Sequence, residues 1–353
     1  MAISAPEITS MHYVDAPVTG FGVTLCEMVY RGIIQIWDSL YRFGILKSHR
    51  LSVPVISIGN LTTGGTGKTP LVISLAQHLE TQNLKVAVLS RGYKAPRETQ
   101  FHEADHPDYG DEAYLIQTHL KTGKVFVGRN RVLTGTLAIK TFKPDVILLD
   151  DGFQHRKLYR DLNIVLVDGT RGFGNGHMLP AGPLREPVSA LHRADWVILT
   201  KTITTHQEQA TWQLLKSLGL KHPVQLAKFP FDCNEIFLPD EKCSTSAKDF
   251  TRESVLLVSA LAQPQSFAET VQQKLSNPII QHVIYADHHA YTQANWEFLE
   301  NLLKKHADAM ILTTEKDWVK LQSLVPYAFY KRFGVLKITP HCDWSRILEG
   351  LLL

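Results

Sequence analysis

The run Thr62-Thr63-Gly64-Gly65-Thr66-Gly67-Lys68-Thr69 follows an apolar stretch at residues 53–59 and precedes a segment in which Leu71, Leu75 and Leu79 recur at helical spacing. A glycine-rich turn between a strand and a helix directs backbone N–H groups at phosphate oxygens. A lysine then reaches the β- and γ-phosphates, and a Ser or Thr hydroxyl ligates Mg²⁺. Residues Thr62, Thr63, Gly64, Gly65, Thr66, Gly67, Lys68 and Thr69 are therefore candidates for binding nucleotide phosphates, with Lys68 also catalytic and Thr69 also a metal ligand. The strict pattern has glycine where this chain has Thr62, but Gly64, Gly65 and Gly67 still supply the turn. Pro70 suits the first turn of a helix, where a missing N–H costs little. A glycine-rich turn that binds nothing is the plain alternative, disfavoured by the adjacent Lys68-Thr69.

Such a loop demands an α/β fold. Beyond it, strand-like runs at 85–90, 145–149, 163–167, 196–200, 254–259, 279–285 and 310–313 alternate with helical stretches at 70–80, 111–118, 207–217, 266–274 and 295–306. Strands joined by helical crossovers predict a mainly parallel sheet flanked by helices, of the P-loop NTPase type. With 353 residues and 44% hydrophobic content, the chain is long enough for about two domains. Pro230, Pro239 and a Ser/Thr cluster break the periodicity between 229 and 252. We expect an N-terminal amphipathic region over 1–50, a phosphate-loop core over 51–230, and a smaller second α/β lobe over 231–353.

Composition excludes several function classes. A formal charge of +3 with scattered Lys and Arg argues against nucleic acid as a partner. Cys26, Cys233, Cys243 and Cys342 show no C-x-x-C pair or zinc spacing and read as free thiols in a reducing compartment. The sixteen histidines include no H-E-x-x-H. No apolar run approaches the roughly 18 to 20 residues that span a bilayer, and no signal-peptide pattern opens the chain. Residues 21–46 mix many apolar side chains with Glu27, Arg31, Asp38 and Arg42. A helix of this kind lies in a membrane interface or packs on a core.

The stretch 146–152 is an apolar strand ending in Asp150-Asp151-Gly152, the arrangement that holds Mg²⁺ beside the loop hydroxyl in phosphate-loop enzymes. Two adjacent carboxylates on extended chain point opposite ways. Guanine reading is disfavoured: 199–203 lacks the aspartate of Asn/Thr-Lys-x-Asp, and Thr314-Glu315-Lys316-Asp317 has glutamate where lysine belongs. Partition-type ATPases carry a lysine where Thr63 stands. An adenine-nucleotide kinase survives, with ATP and Mg²⁺ as cofactors. Such an enzyme needs a proton acceptor for its substrate hydroxyl. Asp111, in Gly110-Asp111-Glu112, is one candidate, with helix capping as its alternative role. His288, in Asp287-His288-His289, is another.

The combination of residues 57–70, Ser90-Arg91-Gly92-Tyr93, Gly110-Asp111-Glu112, Asp150-Asp151-Gly152-Phe153-Gln154-His155, Leu179-Pro180-Ala181-Gly182-Pro183-Leu184-Arg185-Glu186-Pro187, Asp287-His288-His289 and Thr314-Glu315-Lys316-Asp317 closely resembles the tetraacyldisaccharide 4′-kinase family of lipid A biosynthesis. The resemblance implies a kinase that moves the ATP γ-phosphate onto the 4′-hydroxyl of an acylated glucosamine disaccharide 1-phosphate, giving lipid IVA. It implies a peripheral enzyme on the cytoplasmic face of the bacterial inner membrane, with the lipid and the membrane surface as partners, no nucleic acid, and no obligate protein partner. By the same resemblance Asp111 is the catalytic base, His288 rather than His289 its partner, and Asp150 and Asp151 the Mg²⁺-handling acids. Arg91, Arg129 and Arg185 are candidates for substrate-phosphate or transition-state contacts, and Glu186 for the nucleotide ribose. Residues 314–317 support the nucleotide or cap a helix. The pattern departs at Ser259-Ala260-Leu261-Ala262-Gln263-Pro264, where the family's glycine-containing turn has lost its glycines. Two other readings share the loop: an ATP-hydrolysing switch, and a silent nucleotide-binding scaffold.

Overall fold

The computed structural model describes residues 20–92, 102–103, 110–201, 206–218, 225–250 and 254–351. These residues fall into two units. The first contains the described chain up to 103, then 116–231 and 340 onward; the second contains 110–115 and 232–339.

The first unit carries α1 (Phe21–Arg42), β1 (Val55–Asn60), α2 (Lys68–Thr81), β2 (Val86–Ser90), β3 (His102–Glu103), the C-terminal part of α3 (Asp111–His119), β4 (Lys124–Val127), α4 (Arg131–Phe142), β5 (Val146–Asp150), β6 (Leu162–Asp168), β7 (Trp196–Thr200), α5 (His206–Ser217) and β8 (Gln225–Phe229). Its eight strands form one sheet in the order β3-β4-β2-β5-β1-β6-β7-β8, parallel except for β3. The central strands read as near-continuous apolar runs because helices cover both of their faces. Each run nonetheless ends on a polar residue: Asn60 on β1, Ser90 on β2, Asp150 on β5, Asp168 on β6 and Thr200 on β7, all buried. The carboxyl edge of a parallel sheet is where α/β proteins hold ligands. Apolar length thus makes the strands, and the polar last residues furnish the edge. Helix α2 starts at Lys68 and buries Leu71, Val72, Leu75, Ala76 and Leu79. The segment from residue 340 belongs to this unit, and the Trp344 indole N–H donates to Ser74 Oγ on α2 at 2.9 Å.

Helix α1 has two unlike faces. Glu27 is buried, accepting from the Met178 N–H at 3.0 Å and lying 2.9 Å from His177 Nδ1, while Tyr30 and Ile34 pack on the core. Asp38 pairs with Arg156. On the opposite face Leu25, Met28, Val29, Ile33, Ile36 and Trp37 are exposed. No helix among the described residues is long and apolar enough to cross a membrane.

The second unit carries the start of α3, then β9 (Phe231–Leu238), β10 (Cys243–Ser246), β11 (Ser254–Ser259), α6 (Pro264–Lys274), β12 (Ile279–Ile284), α7 (Gln293–Lys305), β13 (Ala309–Thr314), α8 (Glu315–Leu321) and β14 (Phe333–Pro340). The sheet order is β10-β9-β14-β13-β11-β12. The β11 neighbours β12 and β13 and the β13–β14 pair are parallel, and the β9–β10 hairpin is antiparallel. Leu256 and Val258 of β11 join Trp296, Leu299 and Leu303 of α7, while Val255 and Leu257 join Phe267 and Val271 of α6. Alternation along β11 therefore sends successive side chains into two cores. The remaining helix, α9 (Trp344–Ile347), closes the described chain in the first unit.

The fold is the expected one: a mainly parallel sheet flanked by helices, a second mixed sheet with its own helices, and an amphipathic N-terminal helix. Several elements went unread. The break in periodicity at 229–252 holds β9 and β10, because a hairpin whose outer strand is exposed needs no continuous apolar run. Strands β4, β8 and β14 and helix α4 also went unread.

Candidate active site

The glycine-rich loop at 62–69 is shaped by close approaches that only glycine permits. Gly67 sits at φ +85°, and a Cβ there would run into the Phe231 ring. At the end of β1, a Cβ on Gly59 would meet the Phe153 backbone nitrogen at 2.9 Å, which brings the Asp-Asp-Gly-Phe block against the strand. The Leu-Pro-Ala-Gly-Pro-Leu-Arg-Glu-Pro block meets the loop directly. The Thr63 N–H donates to Pro183 O at 2.8 Å, the Arg185 N–H donates to Leu61 O at 2.7 Å, and Thr62 forms an isolated bridge with Leu184. Gly64 and Gly65 are exposed and Thr66 is buried.

Four side chains converge behind the loop. Lys68 Nζ is 3.2 Å from Asn60 Oδ1 and 3.6 Å from Asp151 Oδ1. Arg185 grips Asp151 with both Nη atoms, at 2.9 and 3.1 Å, and also donates to Asn60 Oδ1. Burial opposes charge on Asp151, but the Lys68 and Arg185 cations overcome it and hold the carboxyl well below the usual carboxylate range. Asp151 adopts φ +51°, a conformation that costs a non-glycine residue and here turns its carboxylate onto these cations.

Asp150 is buried, and its Oδ2 accepts from the Ser90 hydroxyl at 3.3 Å. The buried Arg131 lies in the field of Asp150 and Asp151, and burial pulls its guanidinium down to about 10 against those carboxylates. Arg91 is exposed just past β2 and Arg129 is exposed ahead of α4. Burial, then the charges of Arg131 and Arg160, push His155 down to about 4. Glu186 is placed elsewhere: it is buried against Arg193, whose guanidinium stands over the Phe153 ring, and its carboxyl is raised by burial.

The donor set around Thr69, Asp150 and Asp151 suits Mg²⁺. These are hard oxygen donors, and Mg²⁺ is usually bound by one or two carboxylates plus phosphate oxygens and water. Thr69 stands in the first turn of α2, and buried Asp150 ends the neighbouring β5. Asp151 is engaged by Arg185 and Lys68, and Asp150 accepts from the Ser90 hydroxyl. Among the described residues no group of three or more His, Cys, Asp or Glu is placed to hold a metal alone.

A second constellation lies wholly within the second unit. Asp111 opens α3, and its carboxylate is 3.0 and 3.2 Å from His288 Nδ1. Lys316 Nζ is 3.1 Å from His288 Nε2 and 3.2 Å from Glu112 Oε1. An ammonium only donates, so His288 accepts at Nε2 and donates its Nδ1–H to Asp111. Lys320 Nζ lies 3.5 Å from Asp111 Oδ2 and donates to His289 O at 3.1 Å. Burial disfavours the Asp111 carboxylate, yet the His288 hydrogen bond and the charges of Lys316 and Lys320 hold it well below its ordinary value. Lys316 is raised, because Glu112, Asp111 and Asp287 outweigh its burial. His288 sits at φ +61°, a further strained position.

His289 turns to Asn295 Oδ1 at 3.0 Å and stacks on Tyr285, so His288 is the residue that meets Asp111. Thr314 caps α8, its hydroxyl oxygen accepting from the Asp317 N–H. Asp317, 0% exposed, accepts from the Thr314 and Tyr291 hydroxyls and from the Ala260 N–H at 3.2 Å. The segment that lost its glycines is thus tied to the buried carboxylate of α8. Asn60, Arg131 and Lys320 escaped the sequence reading as site residues, and Lys316 entered it only within the 314–317 block. The one signal was position: Asn60 closes an apolar strand, and Lys316 and Lys320 are four apart on one helix face.

Residues 22–350 match the family model described as tetraacyldisaccharide-1-P 4′-kinase. A protein of Syntrophus aciditrophicus named tetraacyldisaccharide 4′-kinase is 39% identical over 93% of this chain and 90% of its own length. One of the same name from Bdellovibrio bacteriovorus is 34% identical over 84% of this chain and 88% of its own. A crystal structure of the "apo" form of LpxK from Aquifex aeolicus in complex with ATP superposes with a TM-score of 0.72 at 29% identity, covering 94% of this chain and 97% of that one. With nearly its whole length matched in sequence and in fold, the chain belongs to the tetraacyldisaccharide-1-P 4′-kinase family.

Proposed function

We propose that this chain transfers the γ-phosphate of ATP to the 4′-hydroxyl of an acylated glucosamine disaccharide 1-phosphate, the ATP-dependent step of lipid A synthesis that yields lipid IVA. Family membership supports the reaction. The observation that carries the assignment of roles is the Asp111–His288 pair, a carboxylate kept ionised and oriented by an imidazole.

In this reading residues 62–69 bind the triphosphate, with backbone N–H groups and Lys68 on its oxygens. Asp111 takes the proton of the 4′-hydroxyl as oxygen attacks phosphorus in line. His288 holds the carboxylate in place by donating its Nδ1–H to it. Arg185 and Lys68 keep Asp151 ionised, and Arg185 is the candidate to follow charge onto the transferred group, with Arg91 and Arg129 as contacts for the substrate's phosphate. Glu186 is less suited to the ribose than expected, since Arg193 already engages it. Thr69 and Asp150 would hold Mg²⁺, which when bound neutralises charge on the phosphates. Most of the acceleration comes from alignment and electrostatics, because phosphoryl transfer leaves the protein little covalent work.

The exposed apolar face of α1 supports a place on the cytoplasmic face of the inner membrane, the helix lying in the interface while its other face packs on the first unit. A lipid acceptor then stays in its leaflet while its sugar is phosphorylated. The division we propose gives the nucleotide to the core, the proton acceptor to the lobe, and the lipid surface to the N-terminal region.

The test incubates purified protein in detergent micelles with γ-labelled MgATP and the tetraacyldisaccharide 1-phosphate. Label at the 4′ position, lost in Lys68→Ala and Asp111→Ala, is the expected result. Phosphate release without labelled lipid would replace the kinase with an ATP-hydrolysing switch.

A further inference from the structure

Asp168 and Thr200 end β6 and β7 in register, both buried, and neither has a part in the chemistry above. The two strand ends are joined: the Gly169 N–H donates to Thr200 O at 2.8 Å, and a Cβ on Gly169 would meet that same oxygen at 2.8 Å. Lys201 follows at φ +51°, again a costly conformation for a side-chain-bearing residue. This turn aims its ammonium at two acceptors. Lys201 Nζ donates to Asp168 Oδ2 at 2.7 Å and to Gly65 O at 2.6 Å. The other Asp168 oxygen accepts from the Thr170 N–H at 2.9 Å and the Thr170 hydroxyl at 2.6 Å, so the carboxylate is held on both sides. Thr200 Oγ1 donates to Thr66 O at 2.9 Å.

Two consecutive carbonyls of the phosphate loop are therefore gripped from the end of β7. In a trans peptide the C=O and the next N–H point in opposite directions. Fixing Gly65 O and Thr66 O thus fixes where the N–H groups of Thr66 and Gly67 point: that of Thr66 donates to Gly64 O at 3.2 Å inside the loop, and that of Gly67 is of the kind a phosphate-binding turn offers an anion. Glycines at 64, 65 and 67 give this backbone wide freedom, which the contacts from the end of β7 restrict.

We propose that Lys201, braced by Asp168 and assisted by Thr200, is a positioning residue that sets the peptide orientation of Gly65 and Thr66 for nucleotide phosphates. The proposal rests on the loop being the ATP site, as argued above. It adds that ATP affinity depends on a lysine more than 130 residues away from the loop, one that touches backbone rather than nucleotide.

The experiment measures ATP and ADP affinity of the full chain in detergent micelles, without acceptor, for the wild type, Lys201→Met, Lys201→Arg and Thr200→Val. Steady-state kinetics with the lipid acceptor and melting temperatures accompany it. We expect Lys201→Met to weaken ATP and ADP about tenfold and to raise the KM for ATP in proportion, the scale of one charge-assisted hydrogen bond. The KM for the acceptor stays within about twofold, Lys201→Arg recovers most of the loss, and Thr200→Val shows about a third of it. Unchanged nucleotide affinity in both Lys201→Met and Thr200→Val would overturn the proposal. So would a joint fall of ATP affinity, acceptor affinity and melting temperature in both, which marks general loosening. If the wild type moved no phosphate to lipid while Lys201→Met still weakened ATP, the kinase reading would fail and this inference would stand.

Discussion

His288 Nδ1 lies 3.0 Å from Asp111 Oδ2 across a sequence separation of 177 residues, and Lys316 stands on the other nitrogen of the same imidazole. The ring can satisfy both only by carrying its proton on Nδ1, so the contact defines a direction: imidazole donates, carboxylate accepts. Asp111→Asn keeps the shape and removes the proton acceptor. Its kcat should fall about a thousandfold, the range of a lost general base, with ATP affinity close to wild type. His288→Ala should fall less, about thirtyfold, since the carboxylate survives it. Rapid-quench turnover alongside equilibrium ATP binding separates the two effects, and wild-type turnover by Asp111→Asn would remove it from the chemistry.

The lysines around Asp111 carry a pH consequence. The His288 hydrogen bond and the charges of Lys316 and Lys320 hold its carboxyl below the ordinary value of 3.8 despite burial. Removing a positive neighbour raises a carboxylate pKa. Lys316→Met should therefore move the acid limb of kcat/KM upward in pH and leave the rate on the plateau less affected. An acid limb that stays in place would show that another group sets it.

Arg185 meets Asp151 through two parallel hydrogen bonds, a geometry lysine cannot copy. Arg185→Lys should lower kcat/KM for ATP about thirtyfold even though charge is conserved. The loss should appear when ATP is varied and be small when the acceptor is varied at saturating ATP.

Glu27 ties α1 to the 177–178 backbone turn, and its carboxyl is held at about 2 by the Met178 N–H, His177 and Arg31 against the penalty of burial. Because the folded-state value lies below the ordinary 4.5, the stabilisation is fully present above pH 4.5 and is lost as pH falls through about 2. Glu27→Gln should cost about 2 kcal/mol at neutral pH, the scale of hydrogen bonds to a charged group. Thermal melts of the two proteins should converge as the pH is lowered across that window.

The outward face of α1 predicts membrane affinity separable from folding. Ile33 and Ile36 are 56% and 64% exposed, so replacing both with Glu should leave the melting temperature nearly unchanged. Binding to vesicles containing anionic lipid should fall at least about tenfold, given roughly 1.5–3 kcal/mol per buried isoleucine. Equal sedimentation of variant and wild type would detach α1 from the membrane.

How much of this was legible beforehand depended on range. Val55 to Asn60, Lys68-Thr69 and Leu71, Leu75 and Leu79 announce strand, loop and helix within some thirty residues, because apolar periodicity and glycine placement act locally. Trp196–Thr200 and Ser254–Ser259 coincide with the runs read from sequence, since a strand buried on both faces must be apolar throughout. The hairpin β9–β10 and the edge strand β8 were invisible for the same reason: half-exposed strands carry no such run.

The sequence by itself determined the glycine-rich strand–loop–helix unit, the parallel-sheet class and the family, each carried by contiguous residues. The Asp111–His288 pairing was expected from the resemblance, and the structure brings the two together. Tertiary structure alone decided the rest: it sent Glu186 to Arg193, gave Asp151 to Arg185 and Lys68, and set Lys201 on the Gly65 carbonyl. Those pairings follow from sheet order and from single left-handed residues at Asp151, Lys201 and His288. They depend on long-range packing, which over-rules local preference and leaves no periodic mark on the chain.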